Sequence, residues 1–361
     1  MKADSNIKSN SDLIVAGIMS GTSLDGVDIA FCSFKELKGK WEYRILKAKT
    51  FEYDEDWKNT LGKAHLLQGE ELIDLDRYYG FFLGDRINQF ISETGIKPKL
   101  IVSHGHTVFH RPDKGYTFQI GNGTNISVRT GIPVVSDFRS LDIALGGQGA
   151  PLVPVGDELL FTEYDSCLNL GGFANISMNR GDKRIAFDIC PVNIVLNGLV
   201  NKLGNDFDKD GLLGEAGKTD RELLDHLNQI SYYEKLPPKS LSREWVEEEF
   251  LPYLNNYKIS IEDKLSTIYD HIAFQIRRVL DTYSVKNVFI TGGGALNKYL
   301  VKLLQSESEV EIILPKEIMI QYKEALIFAF LGWLRYNNRT NCLSSVTGAK
   351  SDSICGTLFK P

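Results

Sequence analysis

The chain has 361 residues, 43% of them hydrophobic and 24% charged, a length that suggests about two domains on a prior of roughly 150 residues each. Its 41 basic and 47 acidic residues are interleaved, leaving a net charge of −6 and no basic stripe, which argues against a nucleic-acid partner. The most apolar stretch, residues 325–334, falls far short of the roughly 20 residues of a membrane span, and the 5 cysteines form no close pair, so the expectation is a reduced, soluble, cytoplasmic protein.

Residues 1–12 are polar, are expected to fray, and lack the apolar core of a signal peptide. Residues 13–19 and 27–34 read as two strands of a hairpin whose loop carries Thr22, Ser23 and Asp25. Leu72, Leu75, Tyr79, Leu83, Ile87 and Phe90 recur at helical spacing and predict a helix over residues 70–92. Residues 100–103 and 132–135 are strand-like. The Gly- and Pro-rich stretch 136–154 shows neither period and reads as the crossover between domains. Beyond it, strands are predicted over 166–170, 174–178 and 184–188, then a helix over 194–203. Helix 261–283 has Ile261, Leu265, Ile268, Ile272, Ile276 and Val279 on one face, and it feeds a strand over 287–291. Helices over 297–304 and 323–336 follow, the last apolar on most sides and therefore expected to be buried. Each half opens with a strand, a Gly turn and a second strand, which suggests a duplicated α/β domain around a cleft. The expected division is residues 1–135 with 337–361, and 136–336.

Three glycine turns follow apolar strands. In the first, Gly21, Thr22, Ser23, Leu24, Asp25 and Gly26 combine free N–H groups with two hydroxyls and an acid, and Val27 and Asp28 follow directly. Glycine lets backbone approach a ligand, and N–H groups in a tight turn suit phosphate oxygens, while Asp25 suits Mg²⁺ through water. A plain hairpin turn is the alternative, since Asp-Gly is a common turn pair. Asn169, Gly171 and Gly172 mark the second turn, and Gly292, Gly293 and Gly294 the third. Together they suggest one nucleotide gripped from several sides, without the P-loop or dinucleotide fingerprints. His104, His106 and His110 invite a metal reading, but no further ligand declares itself, and a polar strand end with Thr107 beside it is the simpler reading. Arg139 fits either an ion pair with Asp137 or Asp142, or a ligand carboxylate or phosphate held by its fork. Asp188 ends a strand-like run, where acids of α/β folds face ligands, or else it charges a helix N-terminus. Glu324 opens an apolar helix, with capping as its default role.

These segments resemble those of the 1,6-anhydro-N-acetylmuramic acid kinase family, within the actin, sugar kinase and Hsp70 ATPase superfamily. Met19-Ser-Gly-Thr-Ser-Leu-Asp-Gly-Val-Asp28, Ser103-His-Gly-His-Thr107, Asp137-Phe-Arg139 and Gly146-Gly-Gln-Gly-Ala-Pro-Leu-Val-Pro154 carry the likeness in the first half. Leu168–Ser177, the run from Phe187 to Asn193, Pro237-Pro-Lys-Ser240, Thr291-Gly-Gly-Gly-Ala295 and Val346-Thr-Gly-Ala349 carry it onward. The resemblance implies two RNase H-like domains around a central ATP and substrate cleft, ATP with Mg²⁺ on the three glycine segments, and a homodimer. It also implies that the substrate is an anhydro sugar from peptidoglycan recycling. Water would attack C1 while O6 takes the γ-phosphoryl group, giving N-acetylmuramic acid 6-phosphate. Asp188 would be the base, Glu324 a helper near the sugar, and Thr107 and Arg139 would hold it.

Two departures stand out. His106 replaces the family's Gln, and Ile189, Cys190 and Val192 replace smaller residues around Asp188. Two competing readings stand beside this one: an ordinary sugar kinase in which Asp188 deprotonates a sugar hydroxyl, and a catalytically silent ATP-binding sensor, suggested by Cys190 and Val192.

Overall fold

Two largely buried strands begin the fold. β1 (Leu13–Ser20) pairs antiparallel with β2 (Gly26–Leu37), in register from Leu13 opposite Phe34 to Ser20 opposite Val27. The structure is a computed structural model that describes residues 13–21, 24–306 and 309–361. Residues 1–12 and the loop hydroxyls of Thr22 and Ser23 therefore lie outside the described residues.

β3 (Lys40–Glu52) pairs antiparallel with β2 as an edge strand that buries only Trp41 and Phe51. Helix Gly69–Thr94 starts with a Gln68–Glu71 capping box and ends at Gly95 in the left-handed region. Its buried stripe of Leu75, Tyr79, Leu83, Ile87 and Phe90 packs with Ile18, Ile29, Phe31 and Ile101. Full burial of each such side chain is worth roughly 1.5–3 kcal/mol, and this stripe is what seats the helix on the sheet. β4 (Leu100–Ser103), wholly buried, runs parallel to β1. β5 (His106–Arg111) and β6 (Tyr116–Ile120) form a separate two-stranded ribbon, and β7 (Val134–Ser136) runs parallel to β4.

The second sheet repeats this plan. β8 (Ser166–Leu170), β9 (Phe173–Arg180) and β10 (Lys183–Pro191) are successive antiparallel strands. β11 (Asn287–Thr291) is parallel to β8, and β12 (Glu311–Ile313) to β11. Helix Ile261–Thr282, capped by Ser260, turns Leu265, Ile268, Ile272, Ile276 and Leu280 into the core of this sheet. The orders β3-β2-β1-β4-β7 and β10-β9-β8-β11-β12 are the same RNase H-like arrangement, three antiparallel strands followed by two parallel ones. At the C-terminus β13 (Thr357–Phe359) adds to β7.

The chain divides into two compact units, one ending at Leu160 and resuming over Glu324–Pro361, the other Phe161–Lys323. The boundaries expected at 135 and 336 are thus displaced, because the stretch read as a crossover packs with the first unit. It folds into helices Ser140–Ala144 and Val153–Leu160. The Asp142 carboxylate accepts hydrogen bonds from Gly149 N at 2.7 Å and Thr347 Oγ1 at 2.7 Å, tying the stretch to the C-terminal segment. The chain returns within helix Glu317–Tyr336, which starts six residues before the sequence reading placed it and leaves helical geometry at Tyr322. Its later half lies very close to the first sheet. A Cβ on Gly17 would stand 2.0 Å from the Ala325 carbonyl oxygen, and one on Gly332 2.0 Å from Val102 Cγ2.

Candidate active site

In the first unit, β1 delivers Ser20 and Gly21 to the loop, and Leu24 takes φ +59°. Asp25 is exposed, and its carbonyl accepts the Tyr53 N–H at 3.2 Å. Gly26 has no room for a side chain, since its Cβ would lie 2.6 Å from the Phe51 carbonyl of β3. Val27 is buried, and half-buried Asp28 accepts a hydrogen bond from Thr50 Oγ1 at 2.6 Å. Burial raises the Asp28 pKa, the Thr50 bond opposes this, and the charge of Asp25 adds to the rise. Beneath the loop, Ser20 Oγ lies 2.8 Å from the Tyr53 hydroxyl, which lies 2.5 Å from that of Tyr79. His106 joins this chain through Nδ1, 3.4 Å from Ser20 Oγ.

The three histidines go separate ways. His104 precedes β5, and its Nε2 accepts from Arg139 Nη2 at 2.7 Å and Nε at 3.1 Å. A guanidinium only donates, so His104 carries its proton on Nδ1 and gives it to the Gly105 carbonyl at 2.9 Å. Burial, with the Arg139 charge adding, pushes the His104 pKa down to about 3, which keeps the ring neutral. Arg139 also donates to the Gly149 carbonyl at 2.6 Å through Nη1. Burial lowers its pKa to about 10, and the charge of Glu324 opposes that shift. Neither Asp137 nor Asp142 serves as its partner: Asp137 accepts from Ser140 Oγ at 2.5 Å, and Asp142 binds Gly149 and Thr347. Thr107 lies on β5, with Gln119 Nε2 donating to its hydroxyl at 3.4 Å, and Glu324 is exposed.

In the second unit the two glycine turns meet. Gly292 adopts φ +85°, and a Cβ there would stand 2.6 Å from Asn169 Oδ1 and 2.8 Å from Leu170 C. Gly294 packs on Leu170, whereas exposed Gly293 has, among the described residues, only Asn193 Nδ2 in reach, at 3.8 Å from its would-be Cβ. Asn193 N donates to the Gly171 carbonyl at 3.2 Å and Val192 N to that of Gly172 at 2.8 Å, so the segment after Asp188 closes on the same turn. Asn169, Gly171, Gly172, Gly292, Gly293 and Gly294 are therefore neighbours. Asp188 sits on β10 at a bulge, and its Oδ2 accepts the Leu241 N–H at 2.8 Å. Burial raises its pKa, the Leu241 bond opposing. The departures around it are core positions: Ile189, Cys190 and Val192 are at most 1% exposed and pack in the hydrophobic cluster of this unit.

Sequence reasoning missed the roles of Thr50, His104, Tyr232 and Leu241. His104 stood in a quoted motif, but its grip on Arg139 spans 35 residues, and Leu241 reaches Asp188 across 53.

Two RNase H-like units, the second carrying paired glycine turns and a half-buried acid on its third strand, give the chain the fold of the actin, sugar kinase and Hsp70 ATPase class. The family described as anhydro-N-acetylmuramic acid kinase matches residues 13–361. Proteins of that description from Sulfurimonas denitrificans, Shewanella sediminis and Caldanaerobacter subterraneus subsp. tengcongensis are 31%, 34% and 31% identical. The alignments cover 95%, 95% and 98% of this chain and 98%, 97% and 98% of theirs. The chain belongs to the anhydro-N-acetylmuramic acid kinase family, and it is an ATP-using kinase that phosphorylates an alcohol group. Among the described residues no helix is long and apolar enough to cross a membrane.

Proposed function

We propose that this kinase converts 1,6-anhydro-N-acetylmuramic acid, ATP and water into N-acetylmuramic acid 6-phosphate and ADP, as a cytoplasmic homodimer in peptidoglycan recycling. The observation that carries the reading is Asp188, the acid of the family's catalytic segment, in the second unit. Burial raises its pKa from the ordinary aspartate value, which suits a base that takes a proton and later gives it up. Asp188 removes a proton from water, the water oxygen bonds to C1, and the bond from C1 to the bridging oxygen breaks. That oxygen, now O6, takes the γ-phosphoryl group and ADP leaves. Arg139, held by neutral His104, pairs with the lactyl carboxylate, Thr107 donates to the sugar, and Glu324 acts as a helper in sugar turnover.

The glycine turns take the nucleotide. Exposed Gly172 and Gly293 present backbone without side chains, and the first loop, Gly21 to Asp28 with Thr22 and Ser23, meets the phosphates. The donor set fits Mg²⁺. Asp25 and Asp28 bring two carboxylates near enough for one charge to raise the other's pKa, and a hard cation relieves that repulsion. Mg²⁺, when bound, supplies charge neutralisation at the phosphates. Most of the rate enhancement then comes from positioning and charge stabilisation.

The test is an ATP-consumption screen against anhydro and ordinary amino sugars. ADP release is expected with the anhydro sugar alone. Release with an ordinary hexosamine would favour a conventional sugar kinase, and release without sugar a bare ATPase.

A further inference from the structure

Asp188 stands where the sheet holds it least. β10 is the edge strand of its sheet, and the register with β9 shifts between Asp188 and Cys190, so the ladder is interrupted at the acid itself. What takes over is one short segment, residues 232–241. The Asp188 N–H donates to the Lys239 carbonyl at 3.2 Å, its carbonyl accepts the Tyr232 hydroxyl at 2.8 Å, and its Oδ2 accepts the Leu241 N–H at 2.8 Å. Backbone donor, backbone acceptor and carboxylate are thus all gripped by the same stretch.

We propose that residues 232–241 are a positioning strap for Asp188, with the Tyr232 hydroxyl as its anchor. The inference rests on the reading of Asp188 as the base. Tyr232 can serve as an anchor because it is itself immobilised. It is 3% exposed, with its ring 5.7 Å from that of Tyr233 and 5.2 Å from that of Trp245. Lys239 Nζ lies 4.7 Å over the ring and donates to the Tyr232 carbonyl at 3.4 Å, so one end of the strap is fastened to the other. Burial also raises the phenol pKa far above neutral, which keeps the hydroxyl a donor. The strap leaves the carboxylate's second oxygen to the reacting proton and fixes the direction in which it points. A misplacement of about 1 Å at such a group costs up to 10²-fold in rate.

The test is a double-mutant cycle on the full-length enzyme. Tyr232→Phe deletes one oxygen and keeps the ring contacts. Its kcat should fall about tenfold, roughly 1.4 kcal/mol of barrier, with KM for both substrates within about twofold of wild type. In the Asp188→Asn background the same change should cost nothing further, because residues that act as a unit are non-additive. Wild-type kcat in Tyr232→Phe, or an equal loss in both backgrounds, overturns the strap. If Tyr232→Phe does not fold, an amide-to-ester replacement at the Ser240–Leu241 link removes the other donor. That change should move the acid limb of the kcat/KM profile to higher pH, and an unmoved limb overturns the proposal. Asp188→Asn alone with near-wild-type turnover defeats the underlying base assignment instead, an outcome distinct from failure of the strap.

Discussion

Asp188→Asn is the most informative single substitution, because the structure separates what it changes from what it leaves. Asparagine keeps an oxygen able to accept the Leu241 N–H now made at 2.8 Å, and the backbone bonds to Lys239 and Tyr232 do not involve the side chain. The base alone is lost. General base catalysis is worth about 10²–10⁴-fold, so kcat should fall by that factor, about 2.7–5.4 kcal/mol of barrier. Stability should move the other way. Folding raises the Asp188 pKa, so the folded state binds this proton more tightly and stability falls as pH rises through the window between the unfolded and folded values. Asparagine carries no such proton, so the variant should melt at pH 7 no lower than wild type. The assay is ADP release from ATP and 1,6-anhydro-N-acetylmuramic acid across pH, with thermal melts alongside. Wild-type kcat/KM should decline as pH drops through the raised Asp188 pKa, and the variant's residual rate should lack that limb. Near-wild-type turnover, or the same limb in the variant, refutes the reasoning.

His104→Ala should release Arg139 and raise KM for the sugar about tenfold with KM for ATP unchanged, a loss of roughly 1.4 kcal/mol readable by steady-state kinetics. It should also flatten stability between pH 6.5 and about 3, where wild type weakens because only unfolded His104 takes a proton; His271, held down to about 3 by burial, contributes alike in both proteins. Gly293→Val meets only an ordinary contact with Asn193 Nδ2 at its Cβ and should fold normally while weakening a non-hydrolysable ATP analogue about tenfold or more in calorimetric titration. An unchanged affinity would remove this turn from the nucleotide.

The buried strands were legible because they are short apolar runs bounded by turn residues. The expected strands over 100–103, 166–170 and 287–291 match β4, β8 and β11. Helix Ile261–Thr282 was legible from its periodic face. β3 was not, because its alternation over residues 40–45 slips phase at Leu46, where the register with β2 shifts, and only Trp41 and Phe51 of the edge strand are buried. Stretch 136–154 misled for a different reason. Its helices are short and their packing is set by Asp142 reaching Thr347 at |i−j| = 205, a contact without any local period. The candidate residues themselves were legible as motifs. The groups that orient them, His104 on Arg139 and residues 232–241 on Asp188, were not, since orientation is a tertiary property. The departures at Ile189, Cys190 and Val192 stand beside the candidate base in sequence. Their burial assigns them to the core, where larger side chains fill space rather than meet substrate.

The central claim is that Asp188 activates water and that this water opens the sugar's bridge. Turnover of 1,6-anhydro-N-acetylmuramic acid in ¹⁸O-water tests it directly, with the product analysed early, before anomeric exchange labels C1 on its own. The account predicts ¹⁸O on the C1 hydroxyl and a phosphate on unlabelled O6. An intact anhydro ring phosphorylated on another hydroxyl, or label in released inorganic phosphate with the sugar unchanged, would contradict it.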